Sequence, residues 1–344
     1  MILSRRALLG STLAATLLAG AAVAQEVTLR LHQFLPATSV VPAEILDVWA
    51  DKVEADSDGR IEIQRFPSMQ LGGTPPQLYD QAVDGVADII WTVAGYTPGR
   101  FPRAEVVELP FMMTNAEATS RALWELAERY MLDDDFADVK VLALWVHGPG
   151  VLHTNRPITE IADLDGLKLR APSRTTTMLF QALGATAVGM PVPAVPEALS
   201  KGVIDGAALP WEVTEALRVH ELVDNHTEFG DASIYTLAFV FAMNLDAYNA
   251  LPDDLKAVID ANSGREFSAF AGRTHQAFDA PVRQVAVDRG NNIITLSPEQ
   301  VEEWRAAAAP TVDTWIAEMD ARGIDGAALV DEARALIAEN TDAQ

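Results

Sequence analysis

One arginine has the position and chemistry to bind an anion. Arg170 ends a predicted strand that starts at Leu167, and Ser173 is a plausible N-cap for the helix that follows, from Arg174 to Leu183. In open α/β sheets, ligands bind at the carboxyl ends of strands. A guanidinium there can hold a carboxylate through two parallel hydrogen bonds, and the helix adds free N–H groups. An ion pair with a surface acid is the alternative interpretation of this residue.

Motifs of enzymes and metal sites are absent from the sequence. It contains no G-x-S-x-G, H-E-x-x-H, Walker or G-x-G-x-x-G pattern at the required place. The six histidines form no i,i+4 pair, and the absence of cysteine excludes thiolate ligands, thiol nucleophiles and disulfides. We therefore expect no catalytic residue, no metal site and no cofactor.

The composition is that of a well-packed and strongly acidic globular protein. The 344 residues include 49 Asp+Glu against 25 Lys+Arg, which gives a formal charge of −24, and 49% of the residues are hydrophobic. Such a length corresponds to about two domains with sizeable cores. Nucleic acids and anionic membranes attract basic surfaces, so neither is expected as a partner.

Residues 1–24 have the layout of a bacterial export signal. Arg5 and Arg6 precede an apolar run that ends in Ala22-Val23-Ala24, an A-x-A cleavage site. The two arginines fit the twin-arginine pathway, while the Sec pathway and an uncleaved anchor are the alternatives. The sequence therefore predicts an exported, periplasmic protein.

Strands and helices alternate along most of the chain, which predicts an α/β fold with doubly wound, largely parallel sheets. The segment from Tyr235 to Asn244 is an apolar strand of the kind that is buried on both faces. The last third of the chain is almost entirely helical. A helix of about 37 residues from Asp253 to about Arg289 would be long enough to run along two lobes, unless it breaks near Gly272.

A series of short motifs spans nearly all of the predicted mature chain. They are Gln33-Phe-Leu-Pro36, Ser68-Met-Gln-Leu-Gly72, Gly85-Val-Ala-Asp88, Glu108-Leu-Pro-Phe111, Leu164-Asp-Gly-Leu-Lys-Leu-Arg170, Gly184-Ala185, Glu197-Ala-Leu-Ser-Lys-Gly-Val-Ile-Asp205-Gly206 and Met243-Asn244. In this order, the motifs resemble the solute-binding subunits of tripartite ATP-independent periplasmic (TRAP) transporters, of the dicarboxylate-binding type. The resemblance implies a periplasmic binding protein with two α/β lobes, crossover strands between them and a long helix that spans both. It also implies that closure of the lobes encloses a ligand for delivery to a membrane permease, with no reaction catalysed.

The resemblance implies that Arg170 holds the carboxylate of the ligand. The chain departs from the sialic-acid and dicarboxylate binders at Gly150, where some members have a second arginine, and at Leu209, where many have a polar Asn. Trp211 follows two residues later. A site that loses polar groups and gains a tryptophan favours an apolar or aromatic ligand body. We therefore expect a monocarboxylate with a hydrophobic or aromatic tail.

Further residues are expected at the cleft from their position in the chain. Trp91 follows the apolar run at 87–90 and should end a strand that faces the cleft, although core packing is the alternative role for it and for Trp211. Phe34 and Gln70 match loops that line the cleft in the family. The predicted binding residues are Arg170, Trp211, Trp91, Phe34, Gln70, Tyr235, Thr236, Phe239, Leu209 and Gly150.

The predicted lobe I comprises residues 25–147 and about 236–275, and the predicted lobe II comprises residues 148–235 and about 276–344, including the C-terminal helices. The expected partners are a small organic acid and the membrane permease subunits, and the protein is expected to be a monomer or a weak homodimer. Three alternatives stay open: a binder of C4-dicarboxylates or 2-oxo acids, a binder that serves another transporter or a sensor, and an exported enzyme that acts on small acids.

Overall fold

The computed structural model describes residues 25–343 and contains two β-sheets, so the predicted export signal lies outside the described residues. The strands are β1 (Val27–His32), β2 (Ile61–Phe66), β3 (Ile89–Val93), β4 (Val139–Val146), β5 (Val151–Thr154), β6 (Lys168–Ala171), β7 (Thr186–Gly189), β8 (Gly206–Leu209), β9 (Asn225–Glu228), β10 (Ala238–Asn244) and β11 (Asn292–Thr295). One sheet has the order β2-β1-β3-β10-β4 and forms lobe I. The other has the order β11-β9-β5-β8-β6-β7 and forms lobe II.

The chain passes between the two sheets through residues 147–150 and again through residues 229–237. The first strand reached after each passage is antiparallel to its neighbours: β5 to β8 and β9, and β10 to β3 and β4. The other strand pairs are parallel. Each sheet is therefore largely parallel, as expected, with one antiparallel strand, because a strand that arrives from the cleft must run opposite to the strands that lead into it.

Helices cover both sheets. They are α1 (Asp47–Asp56), α2 (Leu78–Val83), α3 (Ala116–Tyr130), α4 (Arg174–Ala182), α5 (Val195–Ser200), α6 (Glu212–Ala216), α7 (Val219–Leu222), α8 (Leu245–Ala250), α9 (Asp253–Ala261), α10 (Arg265–Ala277), α11 (Asp279–Arg289), α12 (Pro298–Ala321) and α13 (Gly326–Asp342). Every residue of β10 is buried, as predicted for that apolar strand. The α/β, two-lobed architecture is confirmed.

The prediction of one long helix from Asp253 to about Arg289 is wrong, because the structure divides this segment into α9, α10 and α11. Gly264 separates α9 from α10 with a φ of +85°, a conformation that favours glycine. Phe278 separates α10 from α11, and Pro281 explains the interruption because it has no N–H to donate to the carbonyl of Ala277. Since α10 packs on α3 in lobe I and α11 packs on α6 in lobe II, the two helices together span the lobes.

Gly272 lies inside α10 and not at a break. A Cβ at this position would be 2.5 Å from the carbonyl oxygen of Ala116 and 2.3 Å from Oγ of Ser120. The absence of a side chain therefore lets α10 approach the backbone of α3 closely.

The two C-terminal helices pack on different lobes. α12 contacts α4 in lobe II, whereas α13 packs on α3 in lobe I. Arg265 donates to Oδ1 of Asn340 at 2.8 Å, and the hydroxyl of Tyr130 donates to Glu332 at 2.7 Å. The assignment of the whole segment 276–344 to lobe II is therefore wrong for α13, while the other lobe boundaries stay a prediction. Between residues 25 and 343, no helix combines the length and the apolar character needed to cross a membrane.

Candidate ligand-binding site

A cavity lies between the lobes, at the carboxyl ends of several strands. Lobe I and the passages contribute Phe34, Leu35, Trp91, Val93, Tyr96, His147, Leu237 and Phe239, and lobe II contributes Arg170, Val192, Leu209, Pro210, Glu212 and Val213. The lining is mostly apolar and aromatic, with a few polar groups that converge on one space. This combination is typical of sites that bind small molecules.

Arg170 is buried at the cavity, with 1% of its surface exposed. Its Nε donates to the carbonyl oxygen of Met190 at 3.0 Å, and its Nη1 donates to the carbonyl oxygen of Ala208 at 2.9 Å. No carboxylate oxygen of the described residues lies within 4.0 Å of a guanidinium nitrogen of Arg170, the distance that an ion pair requires. The two carbonyls orient the guanidinium without neutralising it, so the alternative of a surface ion pair does not hold. A buried, unneutralised cation favours an anionic ligand.

Three aromatic side chains are stacked along one wall of the cavity. The ring centroids of Phe34 and Trp91 are 4.5 Å apart with 14° between the planes, and those of Trp91 and Phe239 are 5.2 Å apart. Trp91 is buried, and its Nε1 has no hydrogen-bond partner in the described part of the chain. Flat ring faces of this kind suit a planar, apolar ligand body.

Leu209 lines the cavity, whereas Gly150, Tyr235 and Thr236 lie behind its lining. The N–H of Gly150 donates to the carbonyl oxygen of Tyr235 at 3.1 Å, and a Cβ on Gly150 would be 2.3 Å from the Tyr235 ring. The Thr236 hydroxyl donates to the carbonyl oxygen of His147 at 2.8 Å, and the rings of His147 and Tyr235 meet edge to face at 5.4 Å. These three residues therefore support the position of His147.

Two residues expected at the cleft lie elsewhere. The Trp211 Nε1 donates to Glu228 at 2.8 Å, and its ring packs against His153 and His226 in lobe II. Trp211 therefore does not line this cavity, and its neighbour Glu212, in the first turn of α6, lines it instead. Gln70 is exposed in the loop after β2 and does not line the cavity either.

His147 and Glu212 line the cavity but were not expected there. Burial lowers the pKa of His147 to about 3, and the nearby His275 and Arg170 act in the same direction, so the ring is neutral at pH 7. Glu212 accepts a hydrogen bond from Nε2 of His275 at 2.6 Å. The sequence offered only their positions as a sign of this role: His147 comes directly after β4, and Glu212 starts the helix that follows β8. Position alone does not show which way a side chain points.

Comparisons with known proteins agree with this geometry. Residues 32–318 match the model of the bacterial extracellular solute-binding protein family 7, DctP. The chain belongs to this family. A TRAP solute-binding protein from Rhodoferax ferrireducens, solved with copurified benzoate, is 53% identical and has a TM-score of 0.91, with 92% of this chain and 99% of that chain covered.

Two further relatives extend the comparison. A TRAP solute-binding protein from a marine metagenome, solved with 3-hydroxybenzoate, is 47% identical with a TM-score of 0.90, over 92% of this chain and 99% of that chain. The ectoine/5-hydroxyectoine-binding periplasmic protein UehA of Ruegeria pomeroyi is 24% identical over 96% of both chains. The predictions of a TRAP-type solute-binding subunit and of a periplasmic location are confirmed.

The lobes of this solute-binding protein are in direct contact across the cleft. Tyr96 in lobe I accepts a hydrogen bond from the N–H of Val192 in lobe II at 2.9 Å. Glu108, from the Glu108-Leu-Pro-Phe111 motif, accepts one from Oγ1 of Thr175 at 2.8 Å, and Glu105 pairs with Arg174. The start of α4, expected to offer N–H groups to the ligand, thus contacts two acids of lobe I. The lobes are therefore closed over the cavity.

In the wild type, the contact of Glu108 with Thr175 should become less stabilising as the pH rises. Glu108→Gln is expected to remove this pH dependence from the free energy of unfolding. Burial raises the pKa of Glu108 to about 7, above its ordinary 4.5, although hydrogen bonds from Thr175 and Ser173 oppose the rise. Because the folded protein holds this proton more tightly than the unfolded chain, the stabilisation is complete below pH 4.5 and is lost as the pH rises through 7. Between pH 5 and 8 the wild type should lose roughly 2–3 kcal/mol relative to the variant, in which the amide mimics the protonated acid.

Urea denaturation at several pH values measures this difference. The matched control is Glu303→Gln, at an exposed position on α12, which should follow the wild type throughout. A constant difference in unfolding free energy between wild type and Glu108→Gln over this range would contradict the assignment.

Proposed function

We propose that this solute-binding protein captures a small aromatic monocarboxylate, encloses it by closure of the lobes and delivers it to a TRAP permease. The observation that carries the proposal is a buried guanidinium without a counter-ion next to a stack of aromatic rings. In this proposal, Arg170 holds the carboxylate, and Phe34, Trp91, Phe239 and Leu209 contact the ring.

The relatives support an aromatic ligand. Two of the solved structures that share about half of their residues with this chain hold benzoate and 3-hydroxybenzoate. Both are planar rings with a single carboxylate, which a cavity with one cation and stacked aromatic walls complements.

A C4-dicarboxylate fits the lining less well. Arg170 is the one Lys or Arg side chain among the lining residues, so a second carboxylate would be placed against apolar groups or against Glu212. An unpaired charge buried in this way is costly. We also propose that the protein binds its ligand without converting it, as a member of a family of binding proteins.

A thermal-shift screen of the purified mature protein tests the proposal. The panel sets benzoate, phenylacetate and mandelate against succinate, pyruvate and gluconate at the same millimolar concentration. A ligand at 100 times its Kd adds about 2.7 kcal/mol of stability and should raise the Tm by several degrees. We expect shifts with the aromatic acids only. Shifts confined to succinate, pyruvate or gluconate would refute the aromatic ligand, and incubation followed by chromatography would reveal any turnover.

A further inference from the structure

One wall of the cavity carries a carboxylate oxygen that no group in the described chain satisfies. Glu212 lines the cavity with 4% of its surface exposed. Its Oε1 is 2.6 Å from Nε2 of His275, whereas its Oε2 is buried and has no hydrogen-bond partner among residues 25–343. Buried polar groups in proteins are nearly always paired, so an unpaired one at a ligand cavity indicates that the ligand supplies the partner.

The hydrogen bonds around His275 show that Glu212 can accept a hydrogen bond from the ligand but cannot donate one. The indole Nε1 of Trp145 can only donate, and it lies 3.3 Å from Nδ1 of His275. Nδ1 is therefore the acceptor, and Nε2 carries the proton that is donated to Oε1 of Glu212. The backbone N–H of Glu212 is held by Oδ1 of Asp279 at 2.9 Å. Asp279 thus holds the backbone of Glu212 and His275 holds Oε1, with Oε2 left as an acceptor.

His147 provides a second unpaired acceptor in the same lining. Its Nδ1 lies 2.5 Å from the carbonyl oxygen of Gly148, a group that only accepts, so Nδ1 carries the proton of the neutral ring. Nε2 is then an acceptor, and it is buried without a partner in the described structure. Besides the unpaired Nε1 donor of Trp91 in the aromatic wall, the cavity therefore combines one cation, Arg170, with two acceptors that have no donor in the described residues.

The polar groups of the lining differ in what they can bind: Arg170 donates hydrogen bonds, whereas Oε2 of Glu212 and Nε2 of His147 accept them. Arg170 and His275 both act electrostatically on His147, and Nε2 of His275 donates to Oε1 of Glu212. A ligand carboxylate beside Glu212 would set two acceptors against each other, so it must pair with Arg170. The part of the ligand that reaches Glu212 needs a hydrogen-bond donor.

We propose that the ligand is an aromatic carboxylate whose body carries a hydroxyl group, and that Glu212, held by His275, recognises this hydroxyl as a donor. The proposal rests on the proposed function and narrows its ligand class. Sites built to bind a hydroxyl reject analogues that lack it much more strongly than apolar pockets reject a missing methylene group, because the acceptor is left unpaired. Unsubstituted benzoate should therefore bind, but less tightly.

Isothermal titration calorimetry with matched ligands tests this proposal. The probes are benzoate, the 3- and 4-hydroxybenzoates and the corresponding methoxybenzoates, which keep the oxygen but cannot donate. At the 3- or the 4-position of the ring, the hydroxybenzoate should bind the wild type at least about 10-fold more tightly than both benzoate and the methoxybenzoate substituted at the same position. Glu212→Gln presents an amide N–H₂ in place of Oε2, so this preference should fall below about threefold, and its benzoate affinity is measured alongside to separate a lost preference from a general loss of binding.

The control is Glu215→Gln, at an exposed position on the same helix, which should retain the full preference for the hydroxyl. Benzoate binding without any preference for a hydroxy acid in the wild type would overturn this inference and leave the proposed function intact. Tighter binding of the methoxy acid would overturn it as well, because it would show that the wall donates. Failure of every aromatic acid to bind would instead refute the proposed function. The wild-type comparison needs no variant, so it decides the matter even if Glu212→Gln does not fold.

Discussion

Arg170→Ala is expected to weaken the binding of benzoate and hydroxybenzoates at least about 30-fold, or about 2 kcal/mol. The substitution leaves the ligand carboxylate buried in a largely apolar cavity with no cation to pair with. It also removes the donors to the carbonyl oxygens of Met190 and Ala208, so the folded state must be checked by circular dichroism. Calorimetry on the folded variant measures the loss.

Two further variants make this result specific to the guanidinium. Arg170→Lys keeps the charge but not the two parallel donors, so its affinity should lie between those of wild type and Arg170→Ala. Lys168→Ala removes a half-exposed cation from the same strand, where its Nζ donates to the carbonyl oxygen of Gly202, and should leave affinity unchanged. Affinity of Arg170→Ala within threefold of wild type would remove Arg170 from the site.

Gly150→Arg is expected to abolish tight binding rather than to create a dicarboxylate site. Some members of the family have an arginine at this position, which suggests that restoring it would add a second anion-binding group. In this chain, however, the first side-chain atom would lie 2.3 Å from the Tyr235 ring and 2.8 Å from the Tyr235 carbonyl oxygen. Displacing Tyr235 disturbs the support of His147, so we expect a loss of roughly 2 kcal/mol in benzoate affinity, about 30-fold.

The matched control is Gly189→Arg, since Gly189 is exposed and a Cβ there would meet no atom within 4 Å. It should keep wild-type affinity and Tm, whereas Gly150→Arg should also lower the Tm. If Gly150→Arg instead bound succinate with benzoate affinity intact, the Tyr235 ring would not be a fixed part of the site.

Local sequence signals were sufficient to predict the position of Arg170. The strand β6 that contains it, the Pro172-Ser173 turn and the N-cap of α4 are neighbours in the chain, so their arrangement depends on short-range geometry. The alternation of strands and helices likewise predicted two α/β lobes. The one antiparallel strand in each sheet was not predicted, because it depends on which strand follows a passage between lobes.

The other wall of the cavity depends on contacts that are distant in sequence. Trp211 and Glu212 are adjacent, and which of them faces the ligand is decided where α6 packs on α11. There, Asp279 accepts the backbone N–H of Glu212 from 67 residues away. His275 comes from the same distant helices. No pattern around residue 211 carries this information, so the type of Trp211 and its place after Asp205-Gly206 did not show that Glu212 would line the cavity in its stead.

A crystal structure of the mature protein with benzoate tests the central claim most directly. We predict that both carboxylate oxygens lie within hydrogen-bond distance of the Arg170 guanidinium and that the ring contacts the Phe34, Trp91 and Phe239 stack, with the lobes closed. A carboxylate bound away from Arg170, or a ligand bound outside this cavity, would contradict the account.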